Sequence, residues 1–209
     1  MPRYDPATAL LVVDVQNDFA DPAGSLHVRD GEEVVPLIDV QVVAARAAGA
    51  RVVYTQDWHP PSTPHFARDG GIWPVHCVAD TWGAQLHPNL LVEGPIVRKG
   101  QGGEDGYSGF TMRDPLSGRT EPTELEGLLR AAGVERLVVA GLATDYCVEA
   151  TVLDARALGF EVTVLVSAIR AVDLAEGDGL RALARMRAVG ADLGPDEHAD
   201  GDAATREGG

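Results

Sequence analysis

"LVVAGLATDYCVEATVLDARALG", residues 137–159, decides how the chain folds. It opens on an almost continuous apolar run, 137–140. After a turn, Val148, Thr151, Val152, Ala155 and Leu158 recur at helical spacing until Gly159. A continuous apolar run, rather than an alternating one, marks a strand covered on both faces, and a glycine after the last periodic residue is a usual helix stop. The segment therefore reads as strand, turn and helix, with Cys147 where the helix begins. Similar apolar runs occupy 9–13, 51–55, 95–98 and 162–166. Between them, Val34, Ile38, Val42 and Ala45 precede Gly49, and Leu125, Leu128, Leu129 and Ala132 precede Gly133. Leu180, Leu183 and Ala184 mark a last helix before Gly190. Strands alternating with helices are βαβ units. The expected fold class is α/β, a doubly wound, Rossmann-like, mostly parallel sheet with helices on both faces, in a single domain.

That domain is predicted to span 1–191. The remainder, 192–209, has six acidic residues against Arg206 and no periodicity, and reads as an acidic, disordered tail. Two stretches, 58–90 and 100–120, interrupt the alternation and are expected to be irregular functional loops. Seventeen basic against thirty-two acidic residues give a net charge of −15, which argues against phosphate backbones and anionic lipid, so neither nucleic acid nor membrane is an expected partner. No apolar run approaches the roughly 18 residues that a membrane span needs. Two cysteines and no leader-like start predict a cytoplasmic protein with reduced thiols. A homo-oligomer is left open.

In an open parallel sheet, ligands gather outside the carboxyl ends of the strands. Asp14 follows the first apolar run, Asp57 and His59 the second, Lys99 the third, and Cys147 opens the helix after the fourth. Singly, each has a plain explanation: a turn cap, a loop histidine, a solvated charge, a buried thiol. Together at one rim they predict a site. A helix N-terminus and a nearby ammonium both favour the thiolate of Cys147. Asp14 could take the thiol proton and return it to a leaving amine, with Lys99 keeping that carboxylate ionised. Free backbone N–H groups from Ala143 to Cys147 could hold an oxyanion. The expected reaction is attack on an acyl carbon.

A second constellation lies in "TQDWHPPSTPHF" and "GIWPVHC". Asp57 and His59, two apart, point the same way in an extended segment, and His76 could complete a set of two imidazoles and one carboxylate suited to zinc, iron or manganese. His65 is a further candidate ligand. By spacing alone, the set could equally be a polar loop that contains histidines. Phe19, Trp73 and Tyr107 are either walls of a flat pocket or small cores beneath the loops. Cys77 reads as buried and inert. The glycines of "KGQGGEDGYSGF" match neither dinucleotide nor P-loop spacing, so no nucleotide cofactor is expected.

Seven blocks, "LLVVDVQNDF", "TQDWHP", "GIWPVHCV", "GAQLHP", "VRKG", "DGYSGF" and "GLATDYCV", resemble in order the nicotinamidase/pyrazinamidase branch of the isochorismatase-like cysteine hydrolases, over residue 10 to about residue 193. The resemblance implies a catalytic triad of Asp14, Lys99 and Cys147, and Asp57, His59 and His76 as ligands of one divalent metal ion, zinc first, with iron or manganese as alternatives. It also implies an oxyanion hole at Ala143 and Cys147 beside a cis peptide between Leu142 and Ala143, with Phe19 and Trp73 flanking the substrate ring. The implied activity converts nicotinamide, or pyrazinamide-type analogues, to the acid and ammonia through a cysteine thioester. Another amide or lactam hydrolase with the same triad is the alternative.

Overall fold

A computed structural model describes residues 2–194. Its six-stranded parallel sheet has the order β3-β2-β1-β6-β7-β8. These strands are β1 (Thr8–Val13), β2 (Arg51–Asp57), β3 (Ile96–Lys99), β6 (Arg136–Leu142), β7 (Glu161–Arg170) and β8 (Asp192–Leu193). The helices are α1 (Asn17–Ala20), α2 (Val34–Ala47), α3 (Leu125–Ala131), α4 (Glu149–Ala157) and α5 (Asp178–Ala188). Alternation along central β1 explains the two faces. Leu10 and Val12 pack into one core with Val34, Ile38 and Val42 of α2. Ala9, Leu11 and Val13 enter the other, against Leu125 and Leu129 of α3, Val152 and Ala155 of α4, and Met186 of α5. Burying each such Val or Leu contributes about 1.5–3 kcal/mol. Gly49, Gly133, Gly159 and Gly190 close α2, α3, α4 and α5 in the positive-φ conformation that the sequence pattern requires.

Three expectations need correction. The last helix turns Gly179, Ala182 and Met186 inward, while Leu180 is 74 % exposed. Small residues form this contact face: a Cβ on Gly179 would lie 2.7 Å from that of Ala171. Of the three residues picked by periodicity, Leu183 packs against the core, whereas Leu180 and Ala184 are exposed. The stretch 100–120 contains β4 (Thr111–Arg113) and runs into β5 (Thr120–Pro122), which pair antiparallel. These three-residue strands are largely polar and exposed, so they lack the alternating burial that reveals strands. Finally, β8 begins at Asp192, just past the boundary drawn at 191, and pairs with Thr163 and Val164. Residues 195–209, the rest of the segment read as a tail, lie outside the described residues. Among the described residues no helix is long and apolar enough to cross a membrane.

The strand order reverses between β1 and β6, so their carboxyl ends open a crevice at the switch point. Gly141 lets the two strands meet there. Its φ is +118°, and a Cβ would fall 2.0 Å from the carbonyl oxygen of Val13. Both contact and conformation penalise any side chain, so Gly141→Ala should destabilise the fold by on the order of 3 kcal/mol. Urea unfolding measures this. A loss below about 0.5 kcal/mol, an ordinary surface-substitution value, would contradict the close approach.

Candidate active site

Four strand ends deliver the reactive groups. Asp14 follows β1, Asp57 ends β2, Lys99 ends β3, and Cys147 sits in a π-type turn, Thr144–Val148, between β6 and α4. In that turn the carbonyl of Ala143 accepts from the N–H groups of Tyr146 (3.1 Å) and Val148 (3.0 Å), and the Leu142–Ala143 peptide is cis.

Lys99 is fully buried and is the hub. Its Nζ donates to Asp14 Oδ2 at 2.7 Å, to Asp57 Oδ1 and to the carbonyl of Gly106, and lies 3.9 Å from Cys147 Sγ. Burial works against the ammonium, yet Asp14 and Asp57 outweigh it and raise the lysine pKa well above normal. Burial pushes Asp14 up to about 6, against the pull of Lys99. At Asp57 burial acts the same way, but Lys99 and then His59 overcome it and hold the carboxyl well below the usual range. The Lys99 ammonium favours the thiolate of Cys147 as the sequence suggested, but other forces outweigh it. Burial raises the thiol well above normal, Lys99 opposes, and Asp14 and Asp57 add to the rise. The helix terminus and ammonium were legible in the sequence, but the burial and the second carboxylate were not. The resting group is a thiol beside a carboxylate able to take its proton.

Two buried polar residues, Thr55 within β2 and Gln16 just before α1, support this cluster, and sequence reasoning missed both. Thr55 Oγ1 donates to Asp14 Oδ1 at 2.6 Å and accepts the Asp14 N–H at 3.2 Å. Gln16 clamps the backbone of Asp57 from both sides, accepting its N–H and donating to its carbonyl, each at 2.8 Å. A fully buried threonine or glutamine is itself a signal, because such a group must find partners.

Nitrogens of His59, His65 and His76 converge within 4.8 Å of one another. Oxygens of Asp14 and Asp57 and the sulfur of Cys147 form a second such group, but there the ammonium of Lys99 already supplies the cation. The histidine cluster is the one that fits a metal. Both ring nitrogens of buried His59 lack a hydrogen-bond partner, a costly state that a cation would relieve. His76 donates through Nδ1 to the carbonyl of Pro74 at 2.8 Å, and burial lowers its pKa to about 4, so the ring is neutral with Nε2 free. His65 Nδ1 meets the Asp105 carboxylate at 2.8 Å. Asp57 adjoins the set through Oδ2, 3.7 Å from His59 Nε2. The structure thus draws His65 fully into a group that sequence spacing had built from Asp57, His59 and His76.

Residues of both clusters line one cavity. Asp57, His65, His76, Ala143 and Cys147 reach it. Its walls include Phe19, Trp73 and Tyr107, all three named from sequence, and Tyr146, which was missed although it precedes Cys147. Trp73 Nε1 donates to the Tyr107 hydroxyl at 2.8 Å and the indole meets Tyr146 edge-on, centroids 4.7 Å apart. These rings give the cavity aromatic walls. Cys77 is fully buried and its thiol is raised well above normal by burial.

A doubly wound sheet whose strand ends gather a buried carboxylate, lysine and cysteine is the framework of a thiol hydrolase site. The chain belongs to the isochorismatase family, whose Isochorismatase domain matches residues 8–195. It is 38% identical over 207 residues to the nicotinamidase of Escherichia coli, covering 90% of this chain and 94% of that one. Among solved structures it resembles the pyrazinamidase of Pyrococcus horikoshii in complex with zinc, at 38% identity and TM-score 0.80, covering 90% of this chain and 98% of that one. It also resembles PnC1 of L. infantum in complex with nicotinate, at 35% identity and TM-score 0.82, covering 92% and 94%.

Proposed function

We propose that this chain is a divalent-metal-dependent amidohydrolase that converts nicotinamide to nicotinic acid and ammonia through a thioester on Cys147. The observation that carries the reading is the shared cavity: Cys147 and Asp57 from the Lys99 cluster, His65 and His76 from the histidine group, and the rings of Phe19, Trp73, Tyr107 and Tyr146 all line it. Nicotinamidase and pyrazinamidase relatives point to the same amide class. Asp57, His59 and His76, with His65 as a further ligand, would hold the ion, a Lewis acid able to bind a pyridine-type ring nitrogen and so orient the ring.

Asp14 removes the thiol proton as Cys147 Sγ attacks the carboxamide carbon. Lys99 holds the carboxylate in place, and the N–H groups of Ala143 and Cys147 receive the oxyanion. When the tetrahedral intermediate collapses, the C–N bond breaks and Asp14 returns the proton, so ammonia leaves. A water deprotonated by Asp14 then attacks the thioester, releasing the acid and restoring the thiol. An amide or lactam hydrolase with only the triad would have no use for the histidine cluster, which favours the nicotinamide reading.

Purified protein supplied with zinc and nicotinamide should release ammonia. Chelation should lower the rate at least about tenfold, in line with a site that uses its metal, and zinc should restore it. No ammonia with zinc present rejects the reading, and turnover unchanged by chelation puts the metal-free alternative ahead.

A further inference from the structure

The loop after β3 addresses all parts of the cavity with three consecutive residues. The Asp105 carboxylate accepts from His65, the Gly106 carbonyl accepts from Lys99, and the Tyr107 hydroxyl accepts from Trp73. Asp105 is the member with no role so far. Its Oδ1 lies 2.8 Å from His65 Nδ1, while Arg113 reaches its Oδ2 at 3.3 Å. Its backbone is fixed as well: the N–H of Asp105 donates to the Arg113 carbonyl at 2.7 Å, and the N–H of Arg113 returns a bond at 3.4 Å. The exposed hairpin of β4 and β5 therefore anchors a nearly buried carboxylate that ends on an imidazole.

A carboxylate can only accept, so His65 must place its proton on Nδ1, which leaves the Nε2 lone pair for the histidine group. His76 achieves the same tautomer with the carbonyl of Pro74. Partners of this kind fix ring orientation and raise ligand basicity. His59, whose two nitrogens have no partner, marks where the cation they serve would sit.

We propose that Asp105, braced by Arg113, is a positioning residue that fixes the tautomer and orientation of His65 and so makes His65 a working ligand of the metal site. The inference rests on the metal reading above and extends it from the ligands to the hairpin behind them.

Zinc affinity measured by chelator competition tests it without reference to turnover. Asp105→Ala should weaken zinc about 10- to 100-fold, the range for loss of such a partner. Asp105→Asn retains an acceptor oxygen and should fall in between. His65→Ala should lose at least as much as Asp105→Ala. The decisive variant is the double, His65→Ala with Asp105→Ala, which should bind zinc no more weakly than His65→Ala alone. Thermal midpoints of the metal-free proteins report whether each variant is folded, and the Asp105→Asn result stands if Asp105→Ala is not. Wild-type affinity in Asp105→Ala, or independent additive losses in the double variant, would overturn the proposal while leaving the metal site intact. Failure of the wild type to bind zinc would overturn both.

Discussion

Cys147→Ala is expected to lower kcat/KM for nicotinamide by about ten-thousand-fold or more, the scale on which removal of a nucleophile acts, while zinc content stays at the wild-type level. The two halves of this expectation come from different distances. Sγ lies 3.9 Å from Lys99 Nζ in the carboxylate and ammonium cluster, and the nitrogens suited to a metal form the other group. Removing sulfur therefore deletes the attacking atom and leaves the metal donors in place. Cys77 cannot take over, because it is fully buried away from the cavity lining. Ammonia release and elemental analysis on the same preparation decide the matter. Residual activity within tenfold of wild type would remove Cys147 from the chemistry, and lost zinc would mean that the two clusters are one.

Lys99→Met should be the most damaging charge substitution in the molecule. Asp14 and Asp57 are buried, and both hydrogen-bond the ammonium. Without it two like charges face each other in a medium that solvates neither, and breaking such a buried pair costs about 3–5 kcal/mol. The sign of the pH dependence follows. Burial already raises Asp14 to about 6, and loss of Lys99 removes the largest force opposing that rise. A carboxyl whose folded pKa exceeds its unfolded value destabilises the folded state most above the folded pKa, and the penalty shrinks as pH falls from there toward the unfolded value. The deficit should therefore be largest near neutral pH and shrink toward pH 5, as measured by urea unfolding at both values. A deficit independent of pH would mean that lost packing, not charge, sets the cost.

Most of the frame was legible because residue type reports burial directly. The apolar runs ending at Val13 and continuing from Arg51 and Leu137 could only be strands covered twice, and the glycine stops placed the helices between them. Rim geometry then brought Asp14, Asp57, His59, Lys99 and Cys147 toward one crevice. What stayed hidden depends on distance rather than type. Leu180 looked like a core residue, but Gly179 and Ala182 make the contact because a close-packed helix selects for small side chains. Tyr146 gave no periodic cue. Asp105 sits in a glycine-rich loop, and its alignment on His65 exists only once β4 has paired with the segment before it. The balance of forces on Cys147 was half visible for the same reason: the ammonium can be read in sequence, the dehydration around it cannot.

Lys99 terminates the marginal strand of the sheet. β3 is four residues long, with β2 on one flank and, among the described residues, no strand on the other. Fraying is easiest at such a margin, because few ladder bonds must open together. The hold on the last residue is completed by the Trp58 N–H, which donates to the Lys99 carbonyl at 2.9 Å, and by the Gly106 carbonyl on Nζ. The proposed catalytic centre is thus tethered at one edge of the sheet, and its integrity is a local property that can be lost while the interior strands β1 and β6 remain zipped together.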